Sequence, residues 1–474
     1  MTASSWEVVI GLEVHCQLLT ATKLFCGCST RFGAAPNSQT CPVCLGHPGV
    51  LPVLNAEAVR LAVRLARAVG GTLPPESVFS RKNYFYPDLP KGYQITQYER
   101  PFCEGGEVEV SLRGVRLVVP LTRIHLEEDA GKSTHGGHGL TEVDLNRAGT
   151  PLVEIVSEPA LRSSDEAAAY LEELRNLVRT LGVSDGHLEE GSFRCDANVS
   201  LRRPGAPLGT RVELKNLNSF TFVKKAIDYE VARQREVLEE GGAVIQETRL
   251  WDERVTRPMR GKEDAHDYRY FPEPDLLPLR LRSEWLADAL PELPGTRRRR
   301  YVDALGLSQY DAEVLTADSA TSAFFEAMLA AGAGPKASAN WLANELMGRL
   351  NTEGRSVSAS PVAPQDLAAL VVRTQDGRLS SKLAKEAFSR LWAGESAAAA
   401  IAAVGEVVSD SAALEAAIAD VLGASPDEVA QFHAGKTKVV GFFVGRIMKA
   451  LQGKADPQLT QALLLAALEA RRPT

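Results

Sequence analysis

The chain has 474 residues, 45% hydrophobic and 24% charged, which excludes wholesale disorder and collagen-like structure and calls for two to four domains in place of one compact core. A polar start with no signal-peptide pattern, no apolar run near the ~20 residues that span a bilayer, and seven cysteines that read as reduced thiols or metal ligands all point to a cytoplasmic protein without a membrane role. The net charge of −7 leaves a nucleic-acid partner open, because the basic residues are clumped and net charge averages over domains.

In the first predicted strand, EVVIGLEVHCQL, alternation puts Val8, Ile10, Leu12 and Val14 on one face and Glu13 with His15 on the other. Cys26, Cys28, Cys41 and Cys44 follow as C-x-C, twelve intervening residues and C-P-x-C. Two chelating pairs at that spacing predict a closed, structural zinc site, while Cys16, Cys103 and Cys195 read as small core residues. Asn55 opens a helix that Gly70 and Gly71 end.

LTRIHLEEDAGK is a further strand, with Arg123, His125 and Glu127 on one side and Glu128 near its end. Gly131, Lys132 and Ser133 look like the end of a phosphate-binding Walker A loop, but Leu126 stands where its first glycine must be, so a P-loop is excluded. In TPLVEIVSEP, Glu154 lies inside an apolar run, where an unpaired ionised carboxylate would be costly. Ser163 with Glu166 forms a predicted capping box, and the helix ends at Gly182. RCDANVSLRR then turns Cys195, Ala197, Val199 and Leu201 inward and Arg194, Asp196, Asn198 and Ser200 outward.

If these strands share a sheet, Glu13, His15, Glu128, Glu154 and Asp196 converge, and such a cluster needs a cation, for which Mg²⁺ bridging to nucleotide phosphates is the natural candidate. The competing reading is a half-exposed antiparallel sheet with every polar residue solvated. Pro291, Pro294 and Gly295 mark a boundary near 290, beyond which Ala, Leu and Glu recur at helical spacing. Arg297 to Arg300 read as a solvated helix start. Ser380, Ser381 and Lys382 lack the glycine-rich surroundings of a serine amidase, so glutamine hydrolysis is not expected of this chain. A fainter boundary near 409 sets off a tail. There Lys436, Lys438, Arg446, Lys449 and Lys454 interleave with Phe442, Phe443, Val444, Ile447 and Met448 as a basic amphipathic helix, suited either to an RNA backbone or to packing its apolar face alone.

Taken together, WEVVIGLEVHCQL, SRKNYFYPDLPKGYQITQYERP, RIHLEEDAGKS, DLNRAGTPLVEIVSEP, GSFRCDANVSLR, VELKNLNSF, HDYRYFPEPDLLP, ANWLANEL and GKTKVVGFFVGRIMKA resemble the B subunits of the bacterial GatCAB amidotransferases. The likeness spans essentially the whole chain, without the inserted domain of the archaeal E-type relatives.

The resemblance implies an α+β architecture: a mixed or antiparallel-sheet cradle domain, glutamine-synthetase-like, over 1–292 with a zinc loop at 26–44, a helical domain over 293–408, and a small YqeY-like helical tail over 409–474 that binds tRNA. It implies ATP-dependent phosphorylation of the side-chain carboxylate of Asp-tRNA(Asn) or Glu-tRNA(Gln), then amidation with ammonia from a glutaminase A subunit in a heterotrimer strapped by a small C subunit. DNA and membranes have no part in it. Transferred by position, Glu13, His15, Glu128 and Glu154 would hold Mg²⁺, with Asp196 less certain, and Lys82 and Lys91 would line an ammonia channel. A non-catalytic tRNA-binding scaffold is the alternative.

Overall fold

The structure, a computed structural model, describes residues 6–135, 139–259, 268–405, 411–451, 455 and 457–471. Its contacts divide the chain into two units, Met1–Arg298 and Arg299–Thr474.

The first unit is α+β. Its elements run β1 (Glu7–Gln17), α1 (Ala56–Ala68), β2 (Ser80–Asn83), β3 (Tyr93–Thr96), β4 (Cys103–Glu104), β5 (Glu107–Leu112), β6 (Val115–Glu128), β7 (Lys132–His135), β8 (Thr141–Asp144), β9 (Pro151–Ser157), α2 (Ser164–Thr180), β10 (Phe193–Arg202), β11 (Val212–Lys215), α3 (Phe220–Glu239), β12 (Thr248–Trp251), β13 (Thr256–Pro258) and β14 (Phe271–Pro272). One sheet follows the path β13-β12-β11-β10-β1-β9-β6-β4, with β5 paired to β6. Its pairings are antiparallel except for β11 with β12, so the sheet is mixed. A small sheet, β14-β2-β3, and the hairpin β7-β8 complete the strands of this unit among the described residues.

Strand alternation gives the large sheet an apolar face. Ile10, Leu12 and Val14 of β1 join Val59 and Leu65 of α1, Tyr170 and Leu174 of α2, and Val223 and Ile227 of α3 in one buried cluster. Each such side chain contributes roughly 1.5–3 kcal/mol on burial. The helices start where their caps dictate. Asn55 Oδ1 accepts from the backbone N–H groups of Glu57 at 2.9 Å and Ala58 at 3.3 Å. Ser163 Oγ accepts from Glu166 N at 3.1 Å, while the Glu166 carboxylate reaches back to Arg162 N at 2.7 Å, one residue earlier than a strict capping box requires. With the helices seated on one face, the opposite face of the sheet is where charged side chains collect.

The second unit is helical and holds two hydrophobic clusters. One runs from Tyr301 to Val404. The other joins Ile418, Leu422, Phe443, Ile447, Leu464 and Leu468. The expected boundary near 409 and Lys454 lie outside the described residues. No helix of the described residues is long and apolar enough to cross a membrane.

Arg298 corrects the expectation of a solvated arginine run: it is 7% exposed and ion-paired with Glu173 of α2 at 2.7 Å. The Gly131-Lys132-Ser133 segment is a tight entry into β7, with Gly131 N donating to Asp88 O at 2.8 Å. A Cβ on Gly131 would meet Leu145 Cδ2 at 2.8 Å and Asp144 O at 2.9 Å, so that glycine is set by close backbone approach. Gly131→Ala should therefore lower stability by about 1–3 kcal/mol, the usual cost of overpacking, read as a drop in urea midpoint. An unchanged midpoint would mean that the turn yields freely.

Candidate active site

The polar face of the sheet is organised by register. His15 of β1 stands opposite Glu154 of β9 and Arg194 of β10, and Glu154 stands opposite His125 of β6. His15, Glu154 and His125 thus form one row across three strands, with Glu127 two residues further along β6 on the same face. His15 Nε2 lies 3.6 Å from Glu127 Oε1 and 3.5 Å from Glu154 Oε2. His125 Nε2 lies 3.6 Å from Glu127 Oε2 and 3.2 Å from Glu154 Oε2. Thr96 Oγ1 donates to Glu127 Oε2 at 3.2 Å and steadies that buried carboxylate from β3.

Glu13 and Asp196 form the next row. Asn198 Nδ2 donates to Glu13 Oε1 at 2.9 Å. Asp196 pairs with Lys215 Nζ at 2.7 Å, which also meets Glu213 at 2.9 Å. Of the five residues expected to converge, His15 and Glu154 meet directly, and Glu13 and Asp196 stand beside them.

Glu128 does not join them. It is the neighbour of Glu127 on a strand and therefore points to the other side, where it forms an ion pair with Lys91 and accepts from Ile95 N at 2.9 Å. Together with Lys91, Lys23, Arg81, Cys26 and Cys44 it lines a cavity of about 210 Å³. The position expected of Glu128 is filled by Glu127, and His125 completes the group. Lys82, on β2, is directed to aromatic rings, its Nζ 4.8 Å from the centroid of Tyr268.

The four cysteine sulfurs lie within 4.8 Å of one another. Cys41 N donates to Cys44 Sγ at 3.2 Å, and Lys23 Nζ approaches the same sulfur at 3.5 Å. In the tail, Lys436, Lys438, Arg446 and Lys449 are exposed around the helix Val440–Ala450, whose Phe443 and Ile447 are buried. Arg446 also donates to Ser425 Oγ at 2.9 Å.

Charge follows from this packing. Burial opposes protonation of His125, but Glu154 and Glu127 outweigh it and raise the imidazole to about 9. His15 rises too, again against burial, through Glu154 and Glu127. Burial works to raise Glu154, yet His125 and His15 hold it well below the ordinary carboxylate range. Glu13 is pushed up by burial and by Glu154. Cys44 is drawn down to about 4, first by the hydrogen bond from Cys26 and further by Cys41 N–H and Lys23.

Carboxylates held low therefore face imidazoles held high. The carboxylate oxygens of Glu127 and Glu154 with the His15 imidazole nitrogen form an acceptable donor set for one divalent cation. His125 Nδ1 is buried without a hydrogen-bond partner, so this imidazole is held by its carboxylates alone. Four sulfurs at this separation form a donor set that suits a closed, four-coordinate zinc site. Sequence alternation had put His125 and Glu127 on one face, which was the available signal for both. Nothing in the sequence marked Lys23 or the cavity.

Residues 8–287 match the GatB/GatE catalytic domain, and residues 323–468 match the GatB domain. The chain is 54% identical to the B subunit of the aspartyl/glutamyl-tRNA(Asn/Gln) amidotransferase of Geotalea daltonii, with 98% of this chain and 99% of that protein aligned. It is also 54% identical to the protein of the same name from Geobacter sulfurreducens (98% and 100%), and 55% identical to the one from Solidesulfovibrio magneticus (97% and 98%).

The raised imidazole gives the metal-free protein a pH signature. His125 binds its proton more tightly folded, near 9, than at its ordinary 6.5, so its contribution is complete below pH 6.5 and is lost as the pH climbs through 9. The difference corresponds to at most about 3–4 kcal/mol. With chelator present, the urea midpoint of the wild type should fall between pH 6.5 and 9 more steeply than that of His125→Asn. Parallel curves would refute a charged His125.

Proposed function

This chain belongs to the GatB/GatE family, and we propose that it is the component in which the side-chain carboxylate of an aspartate or glutamate already esterified to tRNA is phosphorylated by ATP and then amidated. The observation that carries the reading is the group of His15, His125, Glu127 and Glu154 at the centre of the sheet inside the matched catalytic region, with His125 and Glu127 buried and His15 and Glu154 half-buried. A solvated sheet face has no use for such a group. Glu127 is only 3% exposed, which disfavours the non-catalytic scaffold.

In the proposed reaction a carboxylate oxygen of the aminoacyl group attacks the γ-phosphorus of ATP, the bond from that phosphorus to the β,γ-bridging oxygen breaks, and ADP leaves. The lone pair of ammonia then attacks the acyl carbon, the carbon–oxygen bond to phosphate breaks, and the nitrogen loses a proton to leave the amide. Phosphoryl transfer of this kind asks the protein chiefly for positioning and charge stabilisation. His15, Glu127 and Glu154 would hold Mg²⁺, which would supply neutralisation of the charge on the transferring phosphoryl group. Glu13, in the adjoining row, keeps a raised proton affinity, and Lys215 balances Asp196 and Glu213 at the rim. His125 braces both carboxylates from behind.

Ammonia comes, on this reading, from a glutaminase A subunit, with a small C subunit completing a heterotrimer in the cytoplasm. The polar cavity that holds Lys91 and Glu128 suits a route for it, with Lys82 on the neighbouring strand. The four cysteines hold structural Zn²⁺. The domains run 1–292, 293–408 and 409–474, a division supported by separate hydrophobic clusters, and the exposed Lys436, Lys438, Arg446 and Lys449 of the last take the tRNA backbone by charge.

The test is amidation of aspartyl- and glutamyl-tRNA by the reconstituted complex, supplied with ATP, Mg²⁺ and free ammonia. Glu154→Ala and Glu127→Ala should each reduce amidation at least ~100-fold, as expected for removing charge stabilisation of the transition state, while glutamine hydrolysis by the partner survives. Glu128→Ala should retain more amidation with free ammonia than Glu127→Ala. Equal activity of wild type and Glu154→Ala would refute the site.

A further inference from the structure

We propose that Lys23 is the buried counter-charge of the four-cysteine site, donating an N–H···S hydrogen bond to the Cys44 thiolate and so setting how firmly the site holds its zinc; this rests on the reading of that site as a zinc site.

Lys23 has no exposed surface. Lysine is almost never buried to that degree without a partner, because an ammonium taken from water must find an anion or lose its proton. Its Nζ has two neighbours at hydrogen-bond distance, Cys44 Sγ at 3.5 Å and the Leu145 carbonyl oxygen at 3.3 Å. Among the described residues it forms no ion pair with a carboxylate, the Glu128 carboxylate that shares its cavity being paired with Lys91, and a carbonyl oxygen is neutral. The sulfur is the group able to carry the compensating charge.

The metal site needs that charge as much as the lysine does. Four thiolates around one Zn²⁺ leave a net charge of −2, and an ammonium on one sulfur halves it. Hydrogen bonds to ligating sulfur lower its basicity, so they protect the metal–sulfur bond from protons and competing ligands. Cys44 also accepts from Cys41 N at 3.2 Å, which adds a neutral donor to the charged one.

Lys23 is held in place to do this. Its backbone N–H donates to the Cys28 carbonyl at 2.9 Å, so one residue grips the first cysteine pair through the main chain and the second through the side chain. The next residue is tied down as well, with Leu24 N donating to Gly149 O at 2.8 Å. A Cβ built on Gly149 would lie 3.5 Å from both Lys23 Cδ and Cys44 Cβ, which puts the lysine stem and the cysteine side by side against that glycine. The contact is therefore a fixed feature of the packing and not the chance reach of a flexible side chain.

The experiment uses the full-length, zinc-loaded chain and Lys23→Met, which keeps the length of the stem and removes the charge. Metal content is measured first, then the rate of zinc loss to excess chelator, then the sulfur-to-metal charge-transfer band after replacing zinc with Co²⁺. Lys23→Met should lose zinc at least ~10-fold faster, the lower end of what outer-shell partners contribute. Its charge-transfer band should move to longer wavelength, because an unbonded thiolate gives up an electron more easily; lost packing alone would not shift it in that sense. Wild-type release rate with an unmoved band overturns the proposal. If Lys23→Met does not fold, Lys23→Arg decides: folding with zinc retained within ~3-fold of wild type supports the charge, whereas zinc loss, or failure of both variants to fold, overturns it in favour of packing. A wild-type chain that holds no zinc overturns the metal reading itself, a result distinct from a zinc-loaded Lys23→Met that behaves as wild type.

Discussion

A carboxylate cannot be buried in the middle of a sheet unless something positive is buried with it, and the first unit is arranged around that requirement. Glu127 and Glu154 are brought together by the register of β6 on β9, and the same register, continued to β1, brings His125 and His15 against them. The helices α1, α2 and α3 seal the other face with aliphatic side chains, which frees this face for charge. Asp129 repeats the pattern at the end of β6: it is 3% exposed and is met by Arg194 at 3.0 Å and by Gln17 Nε2 at 2.8 Å. Pairing at two places along adjacent strands explains why the register is kept, since a slip of one residue would turn every acid toward the apolar face.

Much of this was legible in the sequence, because a strand declares its faces with a period of two. The outward set Arg194, Asp196 and Asn198 and the inward set Cys195, Ala197 and Val199 appear in the structure as read. The placement of Glu128 apart from the cluster has the same source. Alternation put Glu127 with His125 and left Glu128 near the strand end, whereas assignment by family resemblance chose Glu128; the structure follows alternation. What could not be read was distance between segments. The pairing of Lys23 with Cys44 spans 21 residues and that of Lys215 with Asp196 spans 19, and neither leaves a local pattern. Arg298 was misread for that reason too, since a charge run looks solvated until its partner, Glu173, is known.

The pairing of acid with base explains how such a group can be enclosed by the fold. Two carboxylates at this separation repel, and the raised proton affinity of both imidazoles is the response.

The adjacency of Glu127 and Glu128 ties the cavity to this cluster. Consecutive residues on a strand point to opposite sides, so one carboxylate belongs to the face that carries His15, His125 and Glu154 and its neighbour to the cavity that Lys91 shares. Any displacement of Glu128 by a molecule entering the cavity acts on the backbone that also carries Glu127, because Gln94 Nε2 donates to Glu128 O at 2.8 Å while Thr96 of the same strand holds Glu127. β3 therefore grips both residues, Thr96 holding the Glu127 carboxylate while Ile95 N and Gln94 hold the carboxylate and the carbonyl of Glu128.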